Sequence, residues 1–154
     1  MITNATAIIC LSKINKINLL KDVYSVVIMP SAVKSEVLVE GREGYLVISD
    51  VIKDGWIKVV EPKKILDLGL GNGENHAISL AKEKKDSIIL DDALAIKAAK
   101  ALSIPFARTT TVIFTALQRK AITKRQALAI LNDLINNGYY ISTRDYAVLI
   151  SKLK

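Results

Sequence analysis

Short apolar runs alternate with stretches of helical spacing along the chain, an order that predicts βαβ units and a parallel sheet. Met1 to Asn4 reads as a first short strand. A helix from Ala5 to Ile14 follows, with Ile8, Leu11 and Ser12 stepping around one face. Val26 to Met29 is a bounded apolar run, the pattern of a strand buried on both faces. Pro30 ends that run, and Ser31 is placed to cap a helix through Leu38. Ile57 to Val60 and Ser87 to Leu90 are the next candidate strands, and a short fifth falls near Phe106 to Arg108.

The later helices carry stronger signals. Thr123 with Gln126 forms a capping box ahead of an apolar face of Ala127, Leu131, Leu134 and Ile135. Asn137 and Gly138 supply the stop. Ser142 with Asp145 predicts another box, and Tyr146, Leu149, Ile150 and Leu153 continue at helical spacing. No linker, repeat or low-complexity segment divides the chain, so residues 1–154 are expected to form a single domain.

Composition narrows the class. Hydrophobic residues make up 51% and aromatics 5%, so the core must come mainly from Ile, Leu, Val and Ala, with Trp56 a packing residue after the Asp54–Gly55 turn. The apolar stretch Ala5 to Leu11 is too short to span a bilayer and has no basic region before it. A lone Cys10 cannot form an internal disulfide, and its apolar neighbours predict a buried thiol. These features together predict a cytoplasmic protein. The net charge of +7, from 22 basic and 15 acidic residues, favours polyanionic partners, since neutralised phosphates release their counterions.

In an open parallel sheet, ligands bind beyond the carboxyl ends of the strands. The residues there are Asn4, the Pro30–Ser31 turn leading to Glu36, and the pair Asp91–Asp92. Glu36 lies beside Val33 and Val37 on the apolar side of its helix, and Glu74 lies one turn before Ile78. Carboxylates from separate segments are thus expected to converge at one end of the sheet, an oxygen-rich cluster suited to Mg²⁺ or Mn²⁺. Each has a structural alternative. Glu74 can complement a helix N-terminus, and Asp91 or Asp92 can cap the helix through Ala93, Ile96 and Ala99. His76, the one histidine, is more often a helix-surface or core residue than a ligand.

These residues resemble a known family. Ile2 to Ile9 followed by Leu11-Ser12-Lys13-Ile14 looks like the opening of PIN-domain proteins, where a short strand ends in an acid followed by a small residue and Ser or Thr. Val27-Ile28-Met29-Pro30 with Val33, Glu36 and Val37 resembles the second motif. Leu70 to Glu74 with Ala77-Ile78 and Leu80-Ala81 resembles the third, and Ile89 to Asp92 with Ala95 and Ala98 the fourth. Gly138-Tyr139-Tyr140-Ile141-Ser142 resembles a VapC-related branch.

The resemblance implies a three-layer α/β/α PIN-like domain with a central, mostly parallel sheet. It implies a metal-dependent endoribonuclease of toxin–antitoxin type that hydrolyses RNA with metal-activated water. Such proteins are commonly homodimers, often neutralised by a small antitoxin. Carried across, Glu36, Glu74 and Asp92 are the expected catalytic residues. Asn4, Glu36, Glu74, Asp91 and Asp92 are the expected metal ligands, with Thr6 and His76 in support. Two departures bear on activity: Asn4 stands where aspartate is usual, and His76 where an acid is common. A catalytically weakened RNA- or protein-binding module is therefore the alternative.

Ile65 to Gly73 also resembles the glycine-rich loop of S-adenosylmethionine-dependent methyltransferases, with Asp91 or Asp92 as the ribose acid. Against it, Ile65-Leu66 is a short run, and most of the chain after Asp92 reads as helix where further strands are needed.

Overall fold

The computed structural model describes residues 1–154. Five short parallel strands are β1 (Ile2–Thr3), β2 (Val27–Met29), β3 (Ile57–Val59), β4 (Ile88–Ile89) and β5 (Phe106–Ala107), in the order β3-β2-β1-β4-β5. Ile2 pairs with Ile28 on one side and Ile88 on the other, so β1 is the central strand. Nine helices surround the sheet and complete the three-layer α/β/α fold. They are α1 (Ala5–Lys13), α2 (Asn18–Tyr24), α3 (Ser31–Val37), α4 (Tyr45–Lys53), α5 (Asn72–Lys84), α6 (Ala93–Ala101), α7 (Thr109–Gln118), α8 (Lys124–Asn136) and α9 (Thr143–Leu153). No helix is long and apolar enough to cross a membrane.

The inner strands β1, β2 and β4 are largely buried because both their faces lie under helices, whereas the edge strand β3 exposes Lys58 and Val59. One contiguous core of 35 buried residues includes Ile2, Val27, Met29, Ile57, Ile88 and Ile89, together with Trp56 behind β3. On α1 the expected face is found: Ile8, Leu11 and Ser12 are all buried. The box at the start of α8 closes reciprocally, Gln126 N–H donating to Thr123 Oγ1 at 3.2 Å and Thr123 N–H to Gln126 Oε1 at 2.8 Å.

Several details differ from expectation. Ser31 does not cap α3; it is the first helical residue after Pro30, and its N–H donates to Glu61 at 2.6 Å. The box at Ser142 is one-sided, with Asp145 N–H donating to Ser142 Oγ at 3.1 Å, and α9 buries no residue fully. Helices α2 and α4 carry no start signal that the sequence pattern could reveal: α2 begins after Ile17 and α4 after Gly44, neither with a side-chain cap. Tertiary packing supplies what capping does not, since Leu19, Leu20 and Val23 of α2 and Ile48 and Val51 of α4 enter the core.

Residues 65–71 form no strand, and Asp67 instead accepts a hydrogen bond from Gly69 N–H at 3.1 Å in a local turn. The methyltransferase loop must leave a strand, and without one the glycines serve only to enter α5.

Candidate functional site

The chain direction reverses its lateral course at β1: β2 and β3 extend to one side, β4 and β5 to the other. The crevice beyond the carboxyl ends of β1 and β4 is therefore the switch point where such sheets bind ligands. Asn4 leaves β1 at this point, and Leu90 leads from β4 to Asp91 and Asp92. Helix α5 packs over β1 and β4 and against α3, which brings Glu74 and Glu36 to the same end.

Asn4 is 6% exposed and occupies the N-cap of α1, yet its side chain caps nothing. Its Oδ1 is buried without a hydrogen-bond donor. The Asn4 side chain acts on Glu74, whose carboxylate accepts the Gly71 N–H at 3.3 Å. Glu74 is half-buried, and several groups act on its acidity. Desolvation raises its carboxyl above the usual 4.5, the Gly71 N–H pulls it down, Asp92 and Glu36 push it up, and Asn4 pulls it down. The net shift is upward, with burial the largest cause and the Asp92 and Glu36 charges adding to it.

Glu36 is exposed rather than packed on the apolar side of α3, because the helix turns its carboxylate across to the first turn of α5. Its Oε1 accepts the Gly73 N–H at 3.1 Å, a favourable place for an anion at a helix N-terminus. Gly73 makes this approach feasible: a Cβ there would lie 2.7 Å from Glu36 Cδ. Asp92 is the N-cap of α6, one carboxylate oxygen accepting from Leu94 and Ala95 N–H, both at 2.9 Å.

Asp91 is occupied on its other side. Thr109 donates to it through N–H at 3.0 Å and through its hydroxyl at 2.6 Å, and Tyr139 donates its hydroxyl at 2.6 Å. Asp91 thus ties β4 to the start of α7 and to the segment after α8. Burial and the Asp91 charge drive the Tyr139 hydroxyl far above its usual pKa, so it stays a donor. His76 Nδ1 lies 2.7 Å from the Asn72 carbonyl, and the ring adds a weak pull on Glu61, whose carboxyl the Ser31 hydrogen bonds hold low. Thr6 lies nearby, beside Asp92 on the wall of a groove that also includes Cys10. Cys10 is half-buried rather than enclosed, and burial and Asp91 raise its thiol pKa.

The expected residues Asn4, Glu36, Glu74 and Asp92 lie at one end of the sheet, and sequence reasoning did not anticipate three of the partners that hold this region together. The glycine beside Glu74 was a visible signal, but its role for Glu36 depends on α3 packing on α5. Thr109 and Tyr139 reach Asp91 across 18 and 48 residues, and no local pattern marks such contacts.

No three His, Cys, Asp or Glu side chains converge closely enough to hold an ion by themselves. Mg²⁺ asks for less, since it keeps several waters and takes one or two carboxylates. The unpaired Asn4 oxygen at the same sheet edge as Glu74 fits that demand, with Glu36 next to it on the first turn of α5.

A raised carboxyl binds its proton more tightly in the folded than in the unfolded chain. Its contribution to stability therefore falls as pH rises from 4.5 through the higher folded value. Glu74→Gln should melt above the parent at pH 7 and lose that advantage as the pH is lowered to 4. Thermal denaturation across this range checks it, and a lower melting point at pH 7 would show that Glu74 is not under charge strain.

An open α/β sheet with Asn4, Asp91 and Asp92 following its strands at the central switch point defines a class of proteins that act on ligands at one edge of the sheet. The chain belongs to the PIN-domain family: a family model described as a PIN domain matches residues 1–154. Membership places it among proteins of nuclease type. No curated protein and no solved structure matches it significantly.

Proposed function

We propose that this single PIN domain is an endoribonuclease of toxin–antitoxin type that depends on Mg²⁺ or Mn²⁺. The observation that carries the reading is the buried, donor-less Asn4 oxygen at the end of the central strand, at the same sheet edge as Glu74, whose carboxyl burial, Asp92 and Glu36 push up. The basic surface agrees with it: none of the 22 Lys and Arg side chains pairs with an Asp or Glu side chain, and apart from Arg42, Arg119 and Lys124, which bond to backbone carbonyls, and Lys100, which lies over Phe106, they are free for a phosphate backbone.

Asn4, Glu36, Glu74 and the second oxygen of Asp92 would hold the ion. When bound, it supplies the charge that makes water a nucleophile and stabilises the phosphoryl transition state. The chain's own groups do the rest. Gly73 N–H fixes the Glu36 carboxylate, Gly71 N–H holds Glu74, and the α6 N-terminus orients Asp92. Asp91 keeps α7 and the Tyr139 segment in register with the crevice and is a supporting residue on this reading. The resemblance to VapC-like toxins adds a small antitoxin as protein partner, a homodimer as the working state and the cytoplasm as location.

Cleavage of single-stranded RNA with Mn²⁺ tests the proposal. Glu36→Gln and Asp92→Asn should each lower the rate by at least about tenfold, the usual scale for disturbing a metal site. Asn is also a good N-cap, so Asp92→Asn separates charge from helix stability. Equal rates in all three proteins would remove the site.

The substitution of Asn4 for the family's acid favours one second reading, a PIN-fold RNA-binding module without turnover. RNA binding that weakens with salt, combined with no millimolar Mn²⁺ affinity by calorimetry, distinguishes it. Turnover abolished by chelator would exclude it.

A further inference from the structure

We infer that the groove beside Asp92 is a subsite for one nucleotide of single-stranded RNA, with Tyr140 stacking on its base and Arg108 holding its phosphate. The inference rests on the proposed RNA-directed function and extends it from the acidic crevice to the path of the strand.

The groove encloses about 620 Å³, larger than the roughly 450 Å³ groove between α2 and α8. Its wall includes Thr6, Asp91, Asp92, Arg108, Tyr140 and Asp145, so it shares Asp92 with the proposed ion site. Arg108 follows β5 at the carboxyl edge of the sheet, where a basic group is the reverse of what a metal site recruits. Its backbone starts α7, while its side chain is exposed and forms no ion pair or hydrogen bond. That guanidinium is free for a phosphate.

Tyr140 is 85% exposed, the most exposed of the large apolar side chains, although its neighbour Tyr139 is buried and bonded to Asp91. The Tyr139–Asp91 bond anchors the segment, so Tyr140 is a ring on a fixed mount rather than part of a loose tail. An exposed aromatic face next to a free guanidinium suits an unstacked base and its phosphate, which a duplex does not present. Asp145, on the same wall, offers an acceptor for a base amino group.

The test is fluorescence anisotropy of a labelled single-stranded RNA oligonucleotide, in chelator so that no cleavage intervenes, at several salt concentrations. Tyr140→Ala should weaken binding about tenfold, within the range for loss of one base–aromatic stack, and Tyr140→Trp should restore it. Arg108→Ala should flatten the salt dependence by about 0.7 in log–log slope, the loss of one single-strand phosphate contact. Both side chains are exposed, so the fold is not at stake. A parent that binds with Tyr140→Ala within twofold and an unchanged slope for Arg108→Ala overturns the subsite alone. A parent that does not bind the oligonucleotide overturns the subsite and the RNA-directed reading with it.

Discussion

Asn4→Asp is expected to melt about 5 °C below the parent in chelator and above its own chelator value by a wider margin than the parent in Mn²⁺. The first effect follows from charge. Asn4 is buried, and its amide eases the ionisation of a half-buried Glu74 carboxyl that burial, Asp92 and Glu36 push up. Aspartate has no amide proton, so a favourable neighbour becomes a like charge. One opposing effect must be weighed, since Asn4 is the N-cap of α1 and an anion there is favourable by about 0.3–1 kcal/mol. Exchanging a favourable amide for a like charge beside a half-buried carboxyl, about 1.5–3 kcal/mol on the scale of polar contacts to charged groups, is larger and decides the sign. The remainder of about 1–2 kcal/mol corresponds to roughly 5 °C for a chain of this size.

The second effect follows from mass action. A ligand that binds only the folded state at 100 times its Kd stabilises it by about 2.7 kcal/mol. Restoring a charged oxygen at the end of β1 should bring millimolar Mn²⁺ into that regime. Melting curves with chelator and with Mn²⁺ read both signs. No change in either condition would mean that Asn4 lies in no cation site.

Gly73→Ala should leave stability within a few degrees of the parent and weaken Mn²⁺ binding about tenfold. Gly73 lies in the first turn of α5 without a positive φ, so alanine fits the backbone and gains about 0.5–1 kcal/mol over glycine in a helix. The added Cβ, however, would sit 2.7 Å from Glu36 Cδ. The side chain that must give way is an exposed, flexible carboxylate, so Glu36 swings out and the fold stays. What disappears is the 3.1 Å bond from Gly73 N–H that holds Glu36 next to Glu74. A misplaced ligand typically lowers affinity by ten- to a hundredfold. Calorimetric titration with Mn²⁺ measures it, with the melting point as control. Unchanged affinity at unchanged stability would show that Glu36 binds no ion from this position.

The alternation of apolar runs with helical spacing was enough to predict all five strands and the helices with strong caps. Strands buried on both faces must be apolar throughout, and a box such as Thr123 with Gln126 is written in four consecutive residues. The positions of Asn4, Glu74 and Asp92 were legible because each follows a strand or lies in the first turn of a helix, whereas Glu36 was expected on the apolar side of α3 and is exposed there.

Tertiary structure alone decided the rest. Helices α2 and α4 lack caps and persist because their apolar residues enter a core assembled from distant segments. Asp91 and Asp92 are adjacent and chemically alike, yet one is consumed by Thr109 and Tyr139 while the other faces the groove with a single oxygen engaged. Nothing local separates them, since successive residues leaving a strand point in different directions and only the surrounding elements set what each one meets. The close passage of Glu36 over Gly73 likewise depends on α3 packing against α5, a contact across 37 residues. Periodicity fixes which face of an element is buried; which partner waits there is set by the packing of the whole chain.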